Sequence, residues 1–181
     1  GGGFSYGSLG MSHHTTEDIA ILRTLPAIIV VAPGTEWEAG EATEALVKGD
    51  GVGYLRLDKT VANESSTSSF SLGRSVRYRE GKDVTLLATG GILRDVIQAS
   101  ESLQELGINA GVVSMHSIKP IDKDMIIAAA NETGGIVTIE EHNIDGGLGS
   151  AVAEVCMDGG VAPKAFLRIG LNDQYSSIVG S

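Results

Sequence analysis

The stretch VTLLATGGILRDVIQASESLQELG, residues 84–107, decides the fold class of this chain. It begins with a short apolar run, turns at Thr89-Gly90-Gly91, and continues with apolar residues three or four positions apart up to Gly107. An apolar run of strand length, a glycine turn and a helical period together predict a strand–turn–helix unit. The predicted inward face of this helix consists of Ile92, Val96, Ala99, Leu103 and Leu106.

The same alternation of strand and helix runs through the rest of the chain. Further strands are predicted at residues 27–32, 52–57, 111–115, 136–139 and 165–169. Helices are predicted at 35–48, with Thr35 and Glu38 as a capping box, after Asp122 as the N-cap, and from the loop 145–150 to Cys156. Alternation of this kind predicts mainly parallel sheets with helices on both faces and right-handed crossovers. We therefore expect an α/β protein of two three-layer α/β/α units, the first of them incomplete.

A change in composition separates the two expected units. Residues 59–82 are rich in Ser, Thr, Asn and charge without a helical stripe, and they are interpreted as a linker with a short strand near residues 75–79. The units are then residues 1–58 and 83–181. Because the chain starts with Gly1-Gly2-Gly3 and stops without a closing element, it is expected to be a fragment.

Composition limits the class of partner. The 181 residues carry 13 Lys and Arg against 23 Asp and Glu, a formal charge of -10, which opposes binding to nucleic acid or to an anionic membrane. The single cysteine, Cys156, cannot form an internal disulfide, and neither a signal peptide nor an apolar run of membrane-spanning length is present. A cytoplasmic protein is expected, without nucleic-acid or membrane partners.

Two histidines, His13 and His14, stand on a glycine-bounded loop directly before a helix. A histidine can donate or accept a proton near neutral pH, and a helix start can fix its geometry. Thr15 and Asp18 are predicted to form a capping box at that start. The helix is expected to direct inward the residues Ile19, Leu22 and Leu25.

No residue spacing in the sequence indicates a metal site, since Cys156, His116 and His142 are scattered along the chain. The loop 145–150 (DGGLGS) lacks the spacing of a dinucleotide fingerprint and the lysine of a P-loop, so tight-turn glycines are favoured over an anion site. Glu140-Glu141-His142 follows a predicted strand, and the sequence favours neither of two interpretations of it, a functional site or a solvated strand end.

Several long motifs in the right order resemble thiamine diphosphate-dependent transketolases. GMSHHTTEDIAILRTLP (10–26) and VVAPGTEWEA (30–39) are similar to the later part of the family's pyrimidine-binding domain. Four further segments resemble the C-terminal domain of the family: LLATGGILRDVIQASESLQELGI (86–108), SIKPIDKD (117–124), IVTIEEHNIDGGLGSAVAEV (136–155) and LRIGLNDQY (167–175). The resemblance assigns residues 1–58 to the end of the first domain and 83–181 to the second.

Within the superfamily, the chain looks closest to the C-terminal subunits of transketolases encoded as two chains. Deoxyxylulose phosphate synthases and the β subunits of 2-oxo acid dehydrogenases are similar but fit less well. The former usually carry an arginine just before their equivalent of Ile118-Lys119-Pro120, where this chain has His116-Ser117. These relatives are the alternatives among enzymes, and a non-catalytic assembly or regulatory module is the alternative from another class.

The resemblance implies an enzyme that transfers a two-carbon ketol unit from a ketose to an aldose. Thiamine diphosphate and Mg²⁺ would be bound mostly by regions absent from this chain, so the chain alone is expected to be inactive, and no cofactor or metal ligand is assigned within it. The expected partner is a missing N-terminal half or subunit with the diphosphate-binding domain, in a homodimer or heterotetramer that acts on a sugar or sugar phosphate.

The resemblance also carries residue roles onto this sequence. His13 aligns with the family histidine that hydrogen-bonds substrate oxygens, so it is the expected catalytic and substrate-binding residue, and His14 replaces the usual glutamine as a second substrate contact. The family arginine that binds substrate phosphate falls near Asp58, with Arg56 and Lys59 as neighbouring alternatives. A carboxylate at that place predicts a weak dependence on substrate phosphate.

Overall fold

The computed structural model describes residues 1–67 and 69–177. After a short 3₁₀ helix, Gly7–Leu9, the helices are α1 (Asp18–Arg23), α2 (Glu36–Lys48), α3 (Leu93–Glu105), α4 (Lys123–Glu132) and α5 (Leu148–Asp158). The strands are β1 (Ile28–Val31), β2 (Val52–Leu55), β3 (Val76–Arg79), β4 (Val84–Thr89), β5 (Ala110–Ser114), β6 (Ser117–Lys119), β7 (Ile136–Asn143) and β8 (Phe166–Leu171). None of the described helices is long and apolar enough to cross a membrane.

The strands form two sheets, ordered β2-β1-β6 and β3-β5-β4-β7-β8. In the five-stranded sheet, β4 pairs in parallel with β5 and β7, β7 pairs in parallel with β8, and only β3 is antiparallel, at the edge. The predicted α/β class is confirmed. The strand expected near residues 75–79 is β3, and it belongs to this sheet.

Successive strand residues point to opposite sides of the five-stranded sheet, and helices cover the apolar side chains on both faces. Leu87 joins a core cluster with residues of α4 and α5, whereas Leu86 joins a second cluster with α3. The buried face of α3 consists of Leu93, Val96, Ile97 and Ser100.

The predicted inward face of α3 is wrong at two positions. Ala99 and Leu106 are exposed, the latter by 77%. The face is rotated because Leu93, which is fully buried, packs against Gly34, where a Cβ atom would lie only 2.6 Å from the leucine side chain. Contact with the first sheet therefore decides the rotation of this helix.

The three-stranded sheet takes strands from both halves of the chain. β1 pairs in parallel with β2, and the short β6, which the sequence analysis missed, pairs antiparallel with β1. Thr35 caps α2 as predicted, since its side chain accepts a hydrogen bond of 3.0 Å from the N–H of Glu38. The unit boundaries at 58 and 83 stay a prediction.

The predicted capping box at α1 is wrong. The helix begins at Asp18 with Glu17 at the N-cap and no side-chain cap bond, while Thr15 forms a β-bridge with Gly3. The Asp18 carboxylate turns away from the helix and accepts hydrogen bonds from two side chains of β2 and its extension. Leu25 is also not inward, because 46% of it is exposed.

The carboxyl ends of the two sheets face each other. The N–H of Ala32, just after β1, donates to the carbonyl of His116 at 2.7 Å, and the N–H of Gly90, just after β4, donates to the carbonyl of Ala32 at 3.0 Å. The two sheets therefore share main-chain hydrogen bonds at the edge where ligands of open α/β sheets usually bind.

We expect Asp122→Ala to lower the free energy of unfolding by about 2 kcal/mol. Its carboxylate caps α4 through the N–H of Met125 (3.2 Å) and accepts the N–H (2.8 Å) and hydroxyl (2.9 Å) of Ser75, which ties β3 to α4. Denaturant unfolding measures the change. Asp124→Ala, where the side chain is 79% exposed, is the control and should cost less than about 1 kcal/mol; equal losses would contradict the assignment.

Candidate functional site

The histidine loop, residues 10–15, is shaped by its own main chain. Gly10 has a φ of 71°, and its carbonyl accepts the N–H groups of His13 (2.9 Å) and His14 (3.2 Å). Thr15 then pairs with Gly3 through two main-chain hydrogen bonds. The two histidines are thus presented from a tight turn whose exit is fixed.

The two imidazoles have different surroundings. His13 is exposed, with Nδ1 2.9 Å from the Ser12 hydroxyl and its ring 6.4 Å from that of Tyr6. His14 is partly buried and meets the ring of Phe4 edge-on at 4.9 Å. Both ring nitrogens of His14 are buried without a hydrogen-bond partner among residues 1–67 and 69–177. Because buried polar atoms are normally paired, these nitrogens have hydrogen-bonding capacity available for a ligand or a partner chain.

A cavity of about 390 Å³ opens beside the loop, at the carboxyl end of β2. Its walls consist of Gly1, Gly2, Tyr6, Thr15, Tyr54, Leu55, Arg56, Leu57, Asp58 and Lys59. Tyr6 connects the cavity to His13, and Thr15 connects it to the end of the histidine loop. The cavity therefore lies next to the histidine loop, although neither imidazole is part of its wall.

Arg56 is buried under this region, with 1% of its side chain exposed. Nε donates to the carboxylate of Asp18 at 3.0 Å, and Nη2 donates to the carbonyls of Thr15 (2.8 Å) and Glu141 (2.9 Å). The hydroxyl of Tyr54 also donates to Asp18 at 2.8 Å, and burial, followed by this hydrogen bond, raises the pKa of Tyr54. No pattern in the sequence indicates that Arg56 is the centre of a buried network.

Asp58, near which the family's phosphate-binding arginine falls, is buried in this structure. Its side chain is 2% exposed, lies 3.7 Å from Nη1 of Arg56, and accepts the N–H of Gly91 at 2.6 Å. Neither member of this buried pair is free to meet an anion. The exposed cation at the cavity is Lys59, whose Nζ lies 4.1 Å from the ring centre of Tyr6.

The segment Glu140-Glu141-His142 continues β7 and is not a solvated strand end. Glu140 is 4% exposed, and its carboxylate accepts the N–H groups of Leu148 (2.6 Å) and Gly149 (2.8 Å) at the start of α5. The glycine loop before α5 is therefore a turn filled by the protein's own carboxylate, with a φ of 80° at Gly146. Burial raises the pKa of Glu140 to about 7, against the lowering effect of those N–H groups.

His142, near the end of β7, is fully buried against α1. Nδ1 lies 2.6 Å from the carbonyl of Asn143, and Nε2 accepts the N–H of Ala20 at 3.4 Å. Burial lowers the pKa of His142, which favours a neutral ring with its proton on Nδ1. In this form the ring joins the first residues of α1 to the end of β7.

The remaining candidates lie apart from this region. His116 is buried between the sheets and stacks on Phe70 at 4.4 Å, and burial lowers its pKa to about 4. Cys156 is buried as a free thiol in the core. Within the described part of the chain, no group of three or more His, Cys, Asp or Glu side chains is placed to hold a metal ion.

The fold and the site define the class of the protein. It is a two-sheet α/β protein with a histidine loop and a cavity at the carboxyl end of β2, in the three-stranded sheet. The model of the family "Transketolase, C-terminal domain" matches residues 73–178. The chain belongs to the transketolase C-terminal domain family.

Known relatives cover nearly the whole chain. A "Putative transketolase C-terminal section" from Methanocaldococcus jannaschii is 36% identical over 96% of this chain and 55% of its own length. A "6-deoxy-6-sulfo-D-fructose transketolase subunit" from Clostridium sp. is 36% identical over 93% and 52%. The solved "Split gene transketolase, inactive beta4 tetramer" is 38% identical, with a TM-score of 0.83 over 90% of this chain and 54% of that one. This chain thus spans about half the length of the curated relatives it matches.

We expect the stability of the protein to fall between about pH 4.5 and pH 7 through Glu140. The unfolded state loses this proton near its usual pKa of 4.5, whereas the native state keeps it up to about pH 7. The free energy of unfolding therefore decreases as pH rises through this window, by roughly 3 kcal/mol from this group.

Glu140→Gln should remove that part of the pH dependence, measured as the change in unfolding free energy from pH 4.5 to pH 8. The amide oxygen can still accept one of the two N–H groups at α5. Glu132→Gln, on an exposed position of α4, controls for the loss of one surface charge. An unchanged pH slope in Glu140→Gln would refute the role assigned to burial.

Proposed function

We propose that the complete protein is a thiamine diphosphate-dependent transketolase that transfers a two-carbon ketol unit from a ketose to an aldose. This chain supplies the end of the pyrimidine-binding domain and the C-terminal domain. The observation that carries the proposal is the histidine loop, where neither ring nitrogen of His14 has a partner among the described residues and where Thr15, at the end of the loop, lines the cavity. The family membership and the names of the relatives support it.

The described residues do not fit a metal–diphosphate site by themselves. They contain no cluster of three potential metal ligands, and each glycine turn that could hold an anion at β1, β4 or α5 has a carboxylate of the chain bound to its N–H groups. Thiamine diphosphate supplies a carbon nucleophile when bound, and a partner subunit or upstream half holds its diphosphate and Mg²⁺. We propose a homodimer or heterotetramer of the combined unit.

His13 is the group proposed to act on the substrate. Its ring is exposed and lies beside Tyr6, so it can hydrogen-bond a sugar oxygen and move a proton at that atom. His14 is proposed as a second contact through one of its unpartnered nitrogens. Both belong to a loop with a fixed exit, as positioning of a reacting oxygen requires.

Lys59 is proposed to bind an anionic end of the substrate. It is the exposed cation of the cavity wall, since Arg56 is bound to Asp18 and lies 3.7 Å from Asp58. One relative is named for a sugar that carries a sulfo group. A single ammonium can serve a sulfonate or a phosphate, because it acts as a point charge.

We expect His13→Ala in the complete assembly to lower kcat/KM for ketol transfer by roughly 10- to 1,000-fold without changing the cofactor affinity. His14→Ala should lower it less. Steady-state kinetics with a ketose donor and an aldose acceptor, with calorimetry of thiamine diphosphate binding, measure both. Equal losses at the two histidines would overturn the roles, and turnover of a 2-oxo acid donor in place of a ketose would overturn the reaction.

We expect Lys59→Met to reduce the preference for an anionic ketose over its uncharged analogue by about 10-fold in kcat/KM. The charge of the substrate then meets only the ring of Tyr6 and water. Lys82→Met removes an exposed charge elsewhere and serves as the control. If Lys59→Met kept the wild-type preference for the anionic ketose, the role of Lys59 would be refuted and the anion site would be assigned to the partner.

A further inference from the structure

The end of β7, in the second half of the chain, holds the segment that follows the histidine loop at three points. The N–H of Asn143 donates to the carbonyl of Thr16 at 2.8 Å. His142 Nε2 accepts the N–H of Ala20 at 3.4 Å. The third point is Arg56, which joins the carbonyl of Thr15 to that of Glu141. Thr15 comes directly after His14, so this contact lies nearest to the imidazoles.

The guanidinium of Arg56 is suited to this link by its shape. Nε lies 3.0 Å from Asp18, Nη2 lies 2.8 and 2.9 Å from the two carbonyls, and Nη1 lies 3.7 Å from Asp58. A lysine ammonium cannot reach all of these groups, because its three N–H donors belong to a single nitrogen at the end of a flexible chain. A charge without this shape therefore cannot reproduce the link.

The two ends of the link differ in how firmly they are held. Glu141 belongs to β7, an eight-residue strand inside the five-stranded sheet. Thr15 belongs to a loop whose other main-chain contact is the bridge to Gly3 near the start of the described chain. The sheet is thus the fixed end, and the histidine loop is the end whose position depends on the link.

A second, partly buried contact between the halves allows a matched comparison. Arg23, at the end of α1, donates to the carbonyl of Gly146 at 2.8 Å and pairs with Glu154. It joins the same two parts of the chain, but neither of these partners belongs to the histidine loop. Loss of either arginine weakens the contact between the halves, whereas only loss of Arg56 removes a contact of Thr15, which then keeps its two main-chain hydrogen bonds to Gly3.

We propose that Arg56 is a positioning residue through which the C-terminal unit sets the orientation of His13 and His14 without contacting the substrate. The catalytic part of this inference rests on the proposed function. The structural part, the dependence of the loop on Arg56, does not.

Hydrogen–deuterium exchange of the complete protein, with its partner subunit where it has one, tests the structural part. In Arg56→Lys, exchange in the peptide that covers residues 10–18 should be about 10-fold faster, while α4 keeps its protection. In Arg23→Lys, the peptide around residues 144–150 should be faster and residues 10–18 unchanged. Unchanged exchange at residues 10–18 in a folded Arg56→Lys protein, or equal acceleration of the whole chain in both variants, would overturn the proposal.

Asp18→Asn provides a milder variant if Arg56→Lys does not fold. It keeps an oxygen acceptor for Nε but removes the formal charge that orients the guanidinium, so exchange at residues 10–18 should be about 3-fold faster. No change there in Asp18→Asn would contradict the proposal in that case. Tyr54→Phe, which removes a hydrogen bond to Asp18 but no contact of Arg56, is its control.

Kinetics test the catalytic part in the same variants. We expect kcat for ketol transfer to be about 10- to 100-fold lower in Arg56→Lys, with KM changed less than about 3-fold and activity retained in Arg23→Lys. Faster exchange at residues 10–18 with unchanged kcat would refute the catalytic part alone. If the wild-type protein transfers no ketol unit, the proposed function fails, and the exchange experiment still decides the structural part.

Discussion

Buried carboxylates accept hydrogen bonds from main-chain N–H groups where the strands of both sheets end, and the contact between the two sheets depends on these bonds. Glu38 accepts the N–H of Gly34 after β1, Asp58 that of Gly91 after β4, and Glu140 those at the start of α5. A buried N–H without a partner costs about 1 to 3 kcal/mol. Because each turn receives an acceptor from the chain itself, these N–H groups are satisfied where the carboxyl ends of the sheets meet. Glu38 also accepts hydroxyls of Tyr78 and Ser114 from the other sheet, and its burial raises its pKa.

This arrangement determines where a ligand can bind. Open α/β sheets usually bind ligands outside the carboxyl ends of their strands, at turns with free N–H groups. In this chain the turns at Gly34, Gly91 and Gly149 already have carboxylates bound, so the glycine-rich sequence of the 145–150 loop is explained by close packing. Gly147 shows the same constraint, since a Cβ atom there would lie 2.0 Å from the Glu140 carboxylate. One accessible region at these strand ends is the carboxyl end of β2 beside the histidine loop, where the site is proposed.

Local patterns in the sequence predicted the elements, and contacts between distant residues decided what the patterns missed. The strand–turn–helix unit at residues 84–107 and the caps of Thr35 and Asp122 each depend on a few neighbouring residues, and all are present. The strand β6 has three residues and exists because β1 pairs with it, so no periodicity could indicate it. Asp18 fits the pattern of a helix cap but bonds to Arg56 and Tyr54, which stand 38 and 36 positions away. For the site, the loop suggested His13 and His14, whereas an arginine at a strand end gave no sign that it would be buried.

The charges around the cavity bear on the proposed binding of an anionic group by Lys59. Arg56 lies among Asp18 and Asp58, so this buried group has a formal charge of -1 from one cation and two carboxylates, and it offers no net attraction to an anion. The chain as a whole has a formal charge of -10, which opposes long-range steering of an anionic substrate. Attraction must therefore be local, and Lys59 is the cation at the cavity wall that is exposed to provide it. Because a single exposed ammonium is screened within about 8 to 10 Å at ordinary salt, selectivity from Lys59 requires contact with the substrate, and the fixed position of the neighbouring β2 end supports such contact.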